Sequence, residues 1–323
     1  MATLKEGTPS KAAVIPHAAA AGGAPRGAKG GRFSSPRSRR RLLGLAYLAP
    51  ALLIYAFVVL MPAVQGVQLS FYHWDGVTTA TWAGFENYTG FFTDATLRQA
   101  VTHTLFFIVF FSILPIFLGM VSAALTARKD VRGASVYRSI IFLPQVLTPA
   151  VAAVVWKQIY APEGPLNSVL TAFGLGSLTR GWLGDFTWAL PALGLAGTWA
   201  AYGLCMVLFV AGTQNIPGEL YDAARMDGAG PVREFFTVTL PGLRGQLAVV
   251  LTLTLLGAIR VFDIVWLTTK GGPGTSTITP TVVLYQRAFS NPDVGAACAI
   301  GVVLALVSLA VSLVVVKLSE GDD

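Results

Sequence analysis

Six runs of about twenty apolar residues constrain this 323-residue chain more than any other feature of its sequence. An α-helix of that length crosses about 30 Å of hydrocarbon. Only 12% of the residues are charged, whereas a typical soluble domain has roughly 25%. We therefore predict an all-α polytopic membrane protein. The six predicted transmembrane helices are Leu42–Pro62, His103–Ala127, Ile140–Tyr160, Trp188–Gly212, Leu247–Thr269 and Gly295–Lys317.

The net charge of +7 belongs to the first 41 residues. They contain nine Lys or Arg and a single acid, Glu6, whereas the remaining 282 residues have a net charge of −1. Because this segment is rich in Ala, Gly, Pro and Ser and has no periodicity, we predict a disordered tail over 1–41. Basic residues before a first apolar run fix orientation in the membrane, and we favour this interpretation over nucleic-acid binding.

Lys and Arg are distributed unequally between alternate connecting segments, as cytoplasmic and external loops are. With the N-terminus inside, the inner segments contain seventeen basic residues and the outer segments five. We therefore predict cytoplasmic N- and C-termini and a cytoplasmic loop at 213–246. The aromatic-rich segment Leu69–Phe92 is expected outside, at the membrane interface, and Gly271–Thr277, GGPGTST, is expected to form an external turn.

Other short patterns indicate no further site. Leu42–Pro62 is long for a signal peptide and no cleavage site follows it, so we interpret it as a retained anchor. Cys205 and Cys298 lie in apolar runs and are expected to act as small hydrophobic residues. The histidines have no metal-ligand spacing, and we predict neither a metal site nor a cofactor.

The stretch Tyr221–Pro241, YDAARMDGAGPVREFFTVTLP, is unusually charged for this chain. Pro217, four residues before this stretch, suits the first turn of a helix. Glu219 and Asp222 complement the positive end of the helix dipole. Small residues on one face would permit close approach by another protein. They are Leu220, Ala223, Ala224 and Gly228, and the opposite face carries Asp222 and Arg225.

Glycine and proline divide this stretch into two helices. Gly228 and Gly230 can adopt the left-handed conformation that ends a helix, and Pro231 opens a second one. Leu240-Pro241 then ends the unit before the fifth apolar run. The alternative is an amphipathic helix at the membrane surface that merely connects two spans.

The spacing within this stretch resembles the cytoplasmic signature loop of ABC-importer membrane subunits: EAA, three residues, Gly, nine residues, Ile-x-Leu-Pro. Here Asp222-Ala223-Ala224 is followed by three residues, Gly228, nine residues and Val238-Thr239-Leu240-Pro241. The resemblance implies a type I ABC-importer permease fold and docking of the loop on a separate ATPase subunit. It implies that docking involves Glu219, Asp222, Ala223, Ala224, Arg225, Asp227, Gly228, Leu240 and Pro241.

Four further segments are similar to the maltose-type, carbohydrate-uptake branch of this family: Ser70–Gly76, Tyr137–Tyr160, Val261–Thr277 and Val294–Gly301. The resemblance implies a sugar-importer permease in a prokaryotic plasma membrane. The implied partners are a second homologous permease subunit, two copies of an ATP-binding subunit, an extracellular or periplasmic sugar-binding protein and membrane lipid. Because the chain lacks G-x-x-x-x-G-K-[ST], we expect a transport subunit that is not itself an enzyme.

The resemblance also implies an organisation along the chain. Residues 1–41 would be a cytoplasmic tail, 42–95 the first transmembrane helix with an outer loop, 96–317 the core transmembrane domain with its coupling loop at 213–246, and 318–323 the cytoplasmic C-terminus. We expect residues 1–30 to be dispensable for transport.

Polar and aromatic side chains inside the predicted spans indicate a transport pathway. The candidates are Gln145, Trp199, Tyr202, Arg260 and Asp263. Pro144 and Pro149 are expected to disrupt the helix around Gln145. Arg260 and Asp263 are three residues apart, on one face of a helix, and could neutralise one another, which favours a neutral sugar.

Alternatives to these interpretations stay open at the level of sequence. Arg260 and Asp263 could pair to hold helices together, Trp199 and Tyr202 could serve packing, and Gly194, Gly197 and Ala201 most simply permit close helix packing. Glycerol-phosphate-type substrates are an alternative cargo. A secondary transporter or a membrane enzyme would be a different class of protein, but no internal repeat or cluster of catalytic residues supports either.

Overall fold

A computed structural model of the chain describes residues 47–126 and 133–320. The chain divides into two units, residues 1–56 and 57–323. Of the first unit only the helical residues 47–56 are described, so the predictions for the tail 1–41 and for residues 42–46 lie outside the described residues. So do those for 127–132 and 321–323.

The predicted all-α membrane fold is confirmed. Within the described ranges, five helices are long and apolar enough to cross a membrane, and a bent pair makes a sixth span if it is counted as one. The first, second, fourth, fifth and sixth spans are Tyr47–Leu69, Ala95–Leu125, Ala189–Thr213, Arg244–Thr268 and Val294–Ser319.

The second span begins eight residues earlier than predicted, at Ala95 rather than His103. Asp94 is the reason, because its side chain accepts hydrogen bonds from the backbone N–H groups of Thr96 and Leu97, at 2.7 and 3.4 Å. Such a cap satisfies amide groups that the first turn of a helix leaves unpaired. The guanidinium of Arg287 also pairs with Asp94.

The third predicted span, Ile140–Tyr160, is not one continuous helix. It consists of Ala134–Val146 and Pro149–Ile159, and the two parts are bent by 102°. Proline lacks an N–H group and disfavours helical backbone in the residue before it, so the break falls just before Pro149. Thr148 then caps the second part. The predicted disruption is thus confirmed at Pro149, whereas Pro144 lies inside the first helix.

Buried side chains form two clusters. One contains Phe107, Leu193 and Val265, and the other contains Met206, Phe209 and Val250. The fourth span contributes to both. Cys205 is fully buried in the second cluster, as its apolar surroundings predicted, and Cys298 is half-buried.

Glycines let the fourth span pack closely on its neighbours, as the small-residue spacing predicted. A Cβ atom at Gly194 would lie 2.6 Å from the ring of Phe110, and one at Gly197 would lie 2.0 Å from the ring of Phe111. Both phenylalanines belong to a π-helical turn, Val109–Ile113, within the second span.

Short elements connect the spans. A two-stranded antiparallel hairpin pairs Tyr72–His73 with Thr81–Trp82. The other connecting elements are Glu86–Thr93, Pro165–Ala172, a short 3₁₀ turn at Gly176–Leu178, and Pro280–Tyr285, which continues as a π turn at Gln286–Ser290. The GGPGTST turn is confirmed, with positive φ angles of 93° at Gly271 and 59° at Gly274. The side chain of Asn87 is buried and donates to backbone oxygens.

Candidate functional site

The loop 213–246 folds as two helices joined by a tight turn. The first is Gly218–Met226, and the second runs over 231–242 as Pro231–Glu234, a π turn at Phe235–Thr239, and Leu240–Gly242. Pro231 opens the second helix, as predicted, whereas Pro217 lies immediately before the first helix rather than in its first turn. The loop is therefore a hairpin of two helices.

Gly228 and Gly230 differ in conformation, which corrects the prediction for one of them. Gly228 is left-handed, with φ 74°, and ends the first helix. One left-handed residue suffices, because the N–H of Ala229 already turns back to the oxygen of Ala224, at 2.9 Å. Gly230 is extended, with φ −71° and ψ 172°, because it is the residue before the first turn of the second helix.

Most of the predicted docking residues lie on the surface of this hairpin. Glu219, Asp222, Ala223, Arg225, Asp227, Gly228 and Pro241 are exposed, and Ala224 and Leu240 are half-buried. Leu240 packs against the buried cluster around Met206. The exposed surface of the first helix is available to a protein on that side of the membrane.

Arg225 is held within the loop. Its Nε donates to Oε2 of Glu234 at 3.2 Å, and its Nη1 donates to Oδ1 of Asp222 at 3.4 Å. The hydrogen bond to Glu234 raises the pKa of the Arg225 guanidinium. The sequence predicted that Arg225 would face a partner or solvent, and it assigned no role to Glu234. Glu234 is the single acid of the second helix, and this was the signal that could have identified it.

The pathway candidates lie on the third, fourth and fifth spans. Gln145 is exposed at the end of the first half of the third span. Trp199 is half-buried, with its ring 5.6 Å from that of Trp156. The described contacts join neither Gln145 nor Asp263 to the other candidates.

Tyr202 belongs to a triangle of hydroxyl groups. Its Oη lies 3.1 Å from Oη of Tyr137 and shares a hydrogen bond with Oγ of Ser122. Oγ of Ser122 and Oη of Tyr137 are 3.3 Å apart. The triangle joins the second and fourth spans to the first half of the third.

Trp156 is an aromatic residue that the sequence did not single out. It lies in the second half of the third span, between Trp199 and Tyr160. Among the described residues, its Nε1–H group is one of the buried polar groups with no hydrogen-bond partner.

Arg260 and Asp263 do not neutralise one another. The fifth span is interrupted between them, since one helix ends at Ile259 and the next begins at Asp263, so the three-residue spacing no longer places them on one helical face. Arg260 instead donates from Nε to Oγ of Ser308 at 3.3 Å, and both charged residues are exposed. No ion pair joins them in the part of the chain that the structure describes.

The described residues contain no group of three His, Cys, Asp or Glu arranged to hold a metal ion.

Comparison with known proteins covers nearly the whole chain. The family described as binding-protein-dependent transport system inner membrane component matches residues 76–320. The probable ABC transporter permease protein YurN of Bacillus subtilis is 36% identical over 87% of this chain and 97% of its own length. The diacetylchitobiose uptake system permease protein NgcF of Streptomyces coelicolor is 34% identical over 92% of this chain and 89% of its own length.

Solved structures share the fold. A chain of a bacterial ABC transporter involved in the import of the acidic polysaccharide alginate superimposes with a TM-score of 0.75 at 22% identity, over 88% of this chain and 97% of that one. A second structure of a bacterial alginate transporter, in complex with an alginate pentasaccharide-bound periplasmic protein, gives a TM-score of 0.74 at 21% identity, over 86% and 94% of the two chains.

Proposed function

Because the chain belongs to the family of inner membrane components of binding-protein-dependent transport systems, the permeases of ABC transporters, we propose that it forms half of the membrane pathway of an ATP-driven sugar importer. The observation that carries this proposal is the helical hairpin at 213–246. Its exposed first helix bears Asp222-Ala223-Ala224, and its turn is made by left-handed Gly228.

The hairpin is connected to the membrane helices in a way that suits transmission of a displacement. Its second helix ends at Gly242, two residues before the fifth span begins at Arg244. A Cβ atom at Gly212, near the end of the fourth span, would lie 2.6 Å from Cδ2 of Leu243. Close-packed interiors transmit strain rather than absorb it. A partner that pushes the hairpin would therefore move the ends of both spans.

The partner that pushes is a separate ATPase subunit. In this proposal it docks on Glu219, Asp222, Ala223, Ala224, Asp227 and Gly228, with Leu240 and Pro241 at the base of the hairpin and Arg225 beside its surface. Two such subunits, a second homologous permease and an extracellular or periplasmic sugar-binding protein complete the importer. ATP-driven closure would shift the pathway between inward-open and outward-open packings.

The membrane orientation follows from the same proposal. Both termini and the hairpin lie in the cytoplasm of a prokaryote in this proposal. The proposed division of the chain is the tail 1–41, the first span with its outer loop 42–95, the core 96–317 and the C-terminus 318–323. The pathway candidates Gln145, Trp199, Tyr202, Arg260 and Asp263 remain proposals for the permeation route.

The cargo is proposed to be a carbohydrate. NgcF is named for the uptake of diacetylchitobiose, and the transporter with the same fold imports alginate, an acidic polysaccharide. The neutral sugar favoured by the sequence depended on Arg260 being neutralised by Asp263. Since Arg260 is exposed and bonded to Ser308 instead, an anionic sugar or a glycerol-phosphate-type substrate is the second candidate.

The test is co-purification with the candidate ATPase, second permease and binding protein, followed by ATP hydrolysis with neutral and anionic sugars and with glycerol 3-phosphate. Gly228→Val and Gly230→Val form a matched pair, because a Cβ at either position meets nothing within 4 Å and only Gly228 has a positive φ. We expect Gly228→Val to lower substrate-stimulated hydrolysis and Gly230→Val to preserve it. Failure of any ATPase to associate with the wild-type chain would refute the proposal.

A further inference from the structure

Two side-chain contacts join the two helices of the hairpin. Nε of Arg225 lies 3.2 Å from Oε2 of Glu234, and the hydroxyl of Tyr221 lies 3.2 Å from the hydroxyl of Thr239. Each contact links the first helix to the second. Because residue numbers rise along one helix as they fall along the other, the helices run antiparallel between these two contacts.

The π turn in the second helix places both contacts on the side of that helix that faces the first helix. Tyr221 and Arg225 are four residues apart in an α-helix and therefore lie on the same face. Glu234 and Thr239 are five residues apart, a spacing that places two residues on different faces of a regular α-helix. The turn Phe235–Thr239 closes i to i+5 hydrogen bonds and accommodates the additional residue. Glu234 and Thr239 consequently both face the first helix.

Burial makes the Arg225–Glu234 contact the stronger of the two that Arg225 forms. The side chain of Glu234 is 11% exposed, whereas that of Asp222 is 77% exposed. An exposed ion pair contributes little because water screens it. A carboxylate removed from water is costly unless a cation compensates it, so loss of Arg225 would leave Glu234 without that compensation.

We propose that Arg225 and Glu234 hold the two helices of the hairpin in a fixed mutual orientation, so that the hairpin moves as one body. This inference rests on the proposed coupling function. Arg225 is in this role a positioning residue that acts through Glu234, and the ATPase contacts fall to the other proposed docking residues. Tyr221 and Thr239 provide the second point of attachment.

The experiment uses the full importer complex in proteoliposomes and four variants of this chain. They are Glu234→Gln, Arg225→Lys, the charge exchange Arg225→Glu with Glu234→Arg, and the control Arg233→Ala. Arg233 is an exposed cation one residue from Glu234, so its loss changes the charge of the hairpin without removing the link. The readouts are co-purified ATPase and the ratio of sugar imported to ATP hydrolysed.

We expect Glu234→Gln to retain co-purified ATPase and to lower the import ratio at least about fivefold, the lower end of typical coupling between sites. Arg225→Lys should lower it less, because an ammonium can still pair with Glu234 but lacks the planar fork of the guanidinium. The charge exchange should restore the ratio towards wild type, and Arg233→Ala should leave it unchanged. Three outcomes would overturn the proposal. They are a wild-type import ratio in Glu234→Gln, loss of co-purified ATPase from that variant, and a charge exchange whose ratio is as low as that of Glu234→Gln.

A spectroscopic measurement separates this inference from the coupling function. Met226 and Val232 are 89% and 71% exposed and flank the turn, so spin labels fit at both positions. Cys205 and Cys298 are replaced by alanine to leave only these labels. We expect dipolar broadening of the spin-label spectra by the nearby second label. Glu234→Gln should diminish this broadening, and Arg233→Ala should preserve it. Identical spectra in all three proteins would overturn the link itself, even if the importer assembles and works.

Discussion

The backbone oxygen of Ile141 lies so close to Gly203 that a Cβ atom on Gly203 would be 2.4 Å from it. The Cα atom of Phe142 would lie 3.0 Å from the same Cβ. Backbone atoms cannot rotate away as a flexible side chain can. This contact therefore fixes how closely the fourth span approaches the first half of the third.

Gly203→Ala should lower the free energy of unfolding by about 1–3 kcal/mol, the usual cost of overpacking. Gly257→Ala is the matched control, because Gly257 also lies within a span and a Cβ there meets nothing within 4 Å. Thermal unfolding of the purified protein in detergent measures both. Equal melting temperatures for the two variants would contradict the close contact.

Tyr202→Phe should remove the hydroxyl that joins the fourth span to Ser122 and Tyr137. We expect a loss of about 0.5–1.5 kcal/mol of unfolding free energy, as for a typical hydrogen bond. Tyr55→Phe is the control, since Tyr55 is exposed on the first span. Chemical denaturation of both variants in the same detergent gives the comparison, and no difference between them would show that the triangle does not stabilise the fold.

Asn87→Ala should destabilise the segment around the two-stranded hairpin of Tyr72–His73 and Thr81–Trp82. The Asn87 amide donates to the backbone oxygens of Ser70 and Tyr72 at 2.9 and 3.0 Å, and the side chain is buried. Leaving buried carbonyl groups unpaired costs about 1–3 kcal/mol. Asn291→Ala, at an exposed position, should cost nothing measurable. Hydrogen exchange of residues 70–93 reports the local effect, and unchanged protection in Asn87→Ala would contradict it.

Asp75 makes the turn between the two short strands sensitive to acid. Its carboxylate accepts hydrogen bonds from the N–H groups of Thr78 and Val77 and from the Thr78 hydroxyl, and these hold its pKa below the ordinary value of 3.8. Because the folded-state pKa is the lower one, the stabilisation is present above the unfolded pKa and is lost as pH falls through the folded pKa.

A ¹³C NMR titration of the Asp75 carboxyl should therefore give a midpoint below 3.8. Thr78→Val should move that midpoint upwards, since it removes one of the three hydrogen bonds while the backbone donors remain. A wild-type midpoint at or above 3.8 would show that these bonds are absent in solution.

The length of the hydrophobic runs predicted the membrane fold and the positions of most spans, because the cost of exposing a run to water depends on how much apolar surface it contains. The ends of the spans depended on single side chains. Asp94 moved the start of the second span by capping it, and Pro149 divided the third. Neither effect changes the apolar content of a run, so run length could not predict them.

The hairpin was predicted in outline because glycine and proline have local conformational preferences. Its internal contacts were not, because Arg225 and Glu234 are nine residues apart and meet only after the chain reverses at Gly228. Likewise, the pairing of Arg260 with Asp263 assumed a continuous helix, and the interruption after Ile259 removed that premise.

The most direct test of the account is uptake of labelled sugar into proteoliposomes that contain this chain with its candidate permease, ATPase and binding protein. The account predicts uptake that requires enclosed ATP, the ATPase subunit and the binding protein, and that falls in Gly228→Val but not in Gly230→Val. Uptake that continues without ATP or without the ATPase subunit would contradict it and would indicate a secondary transporter.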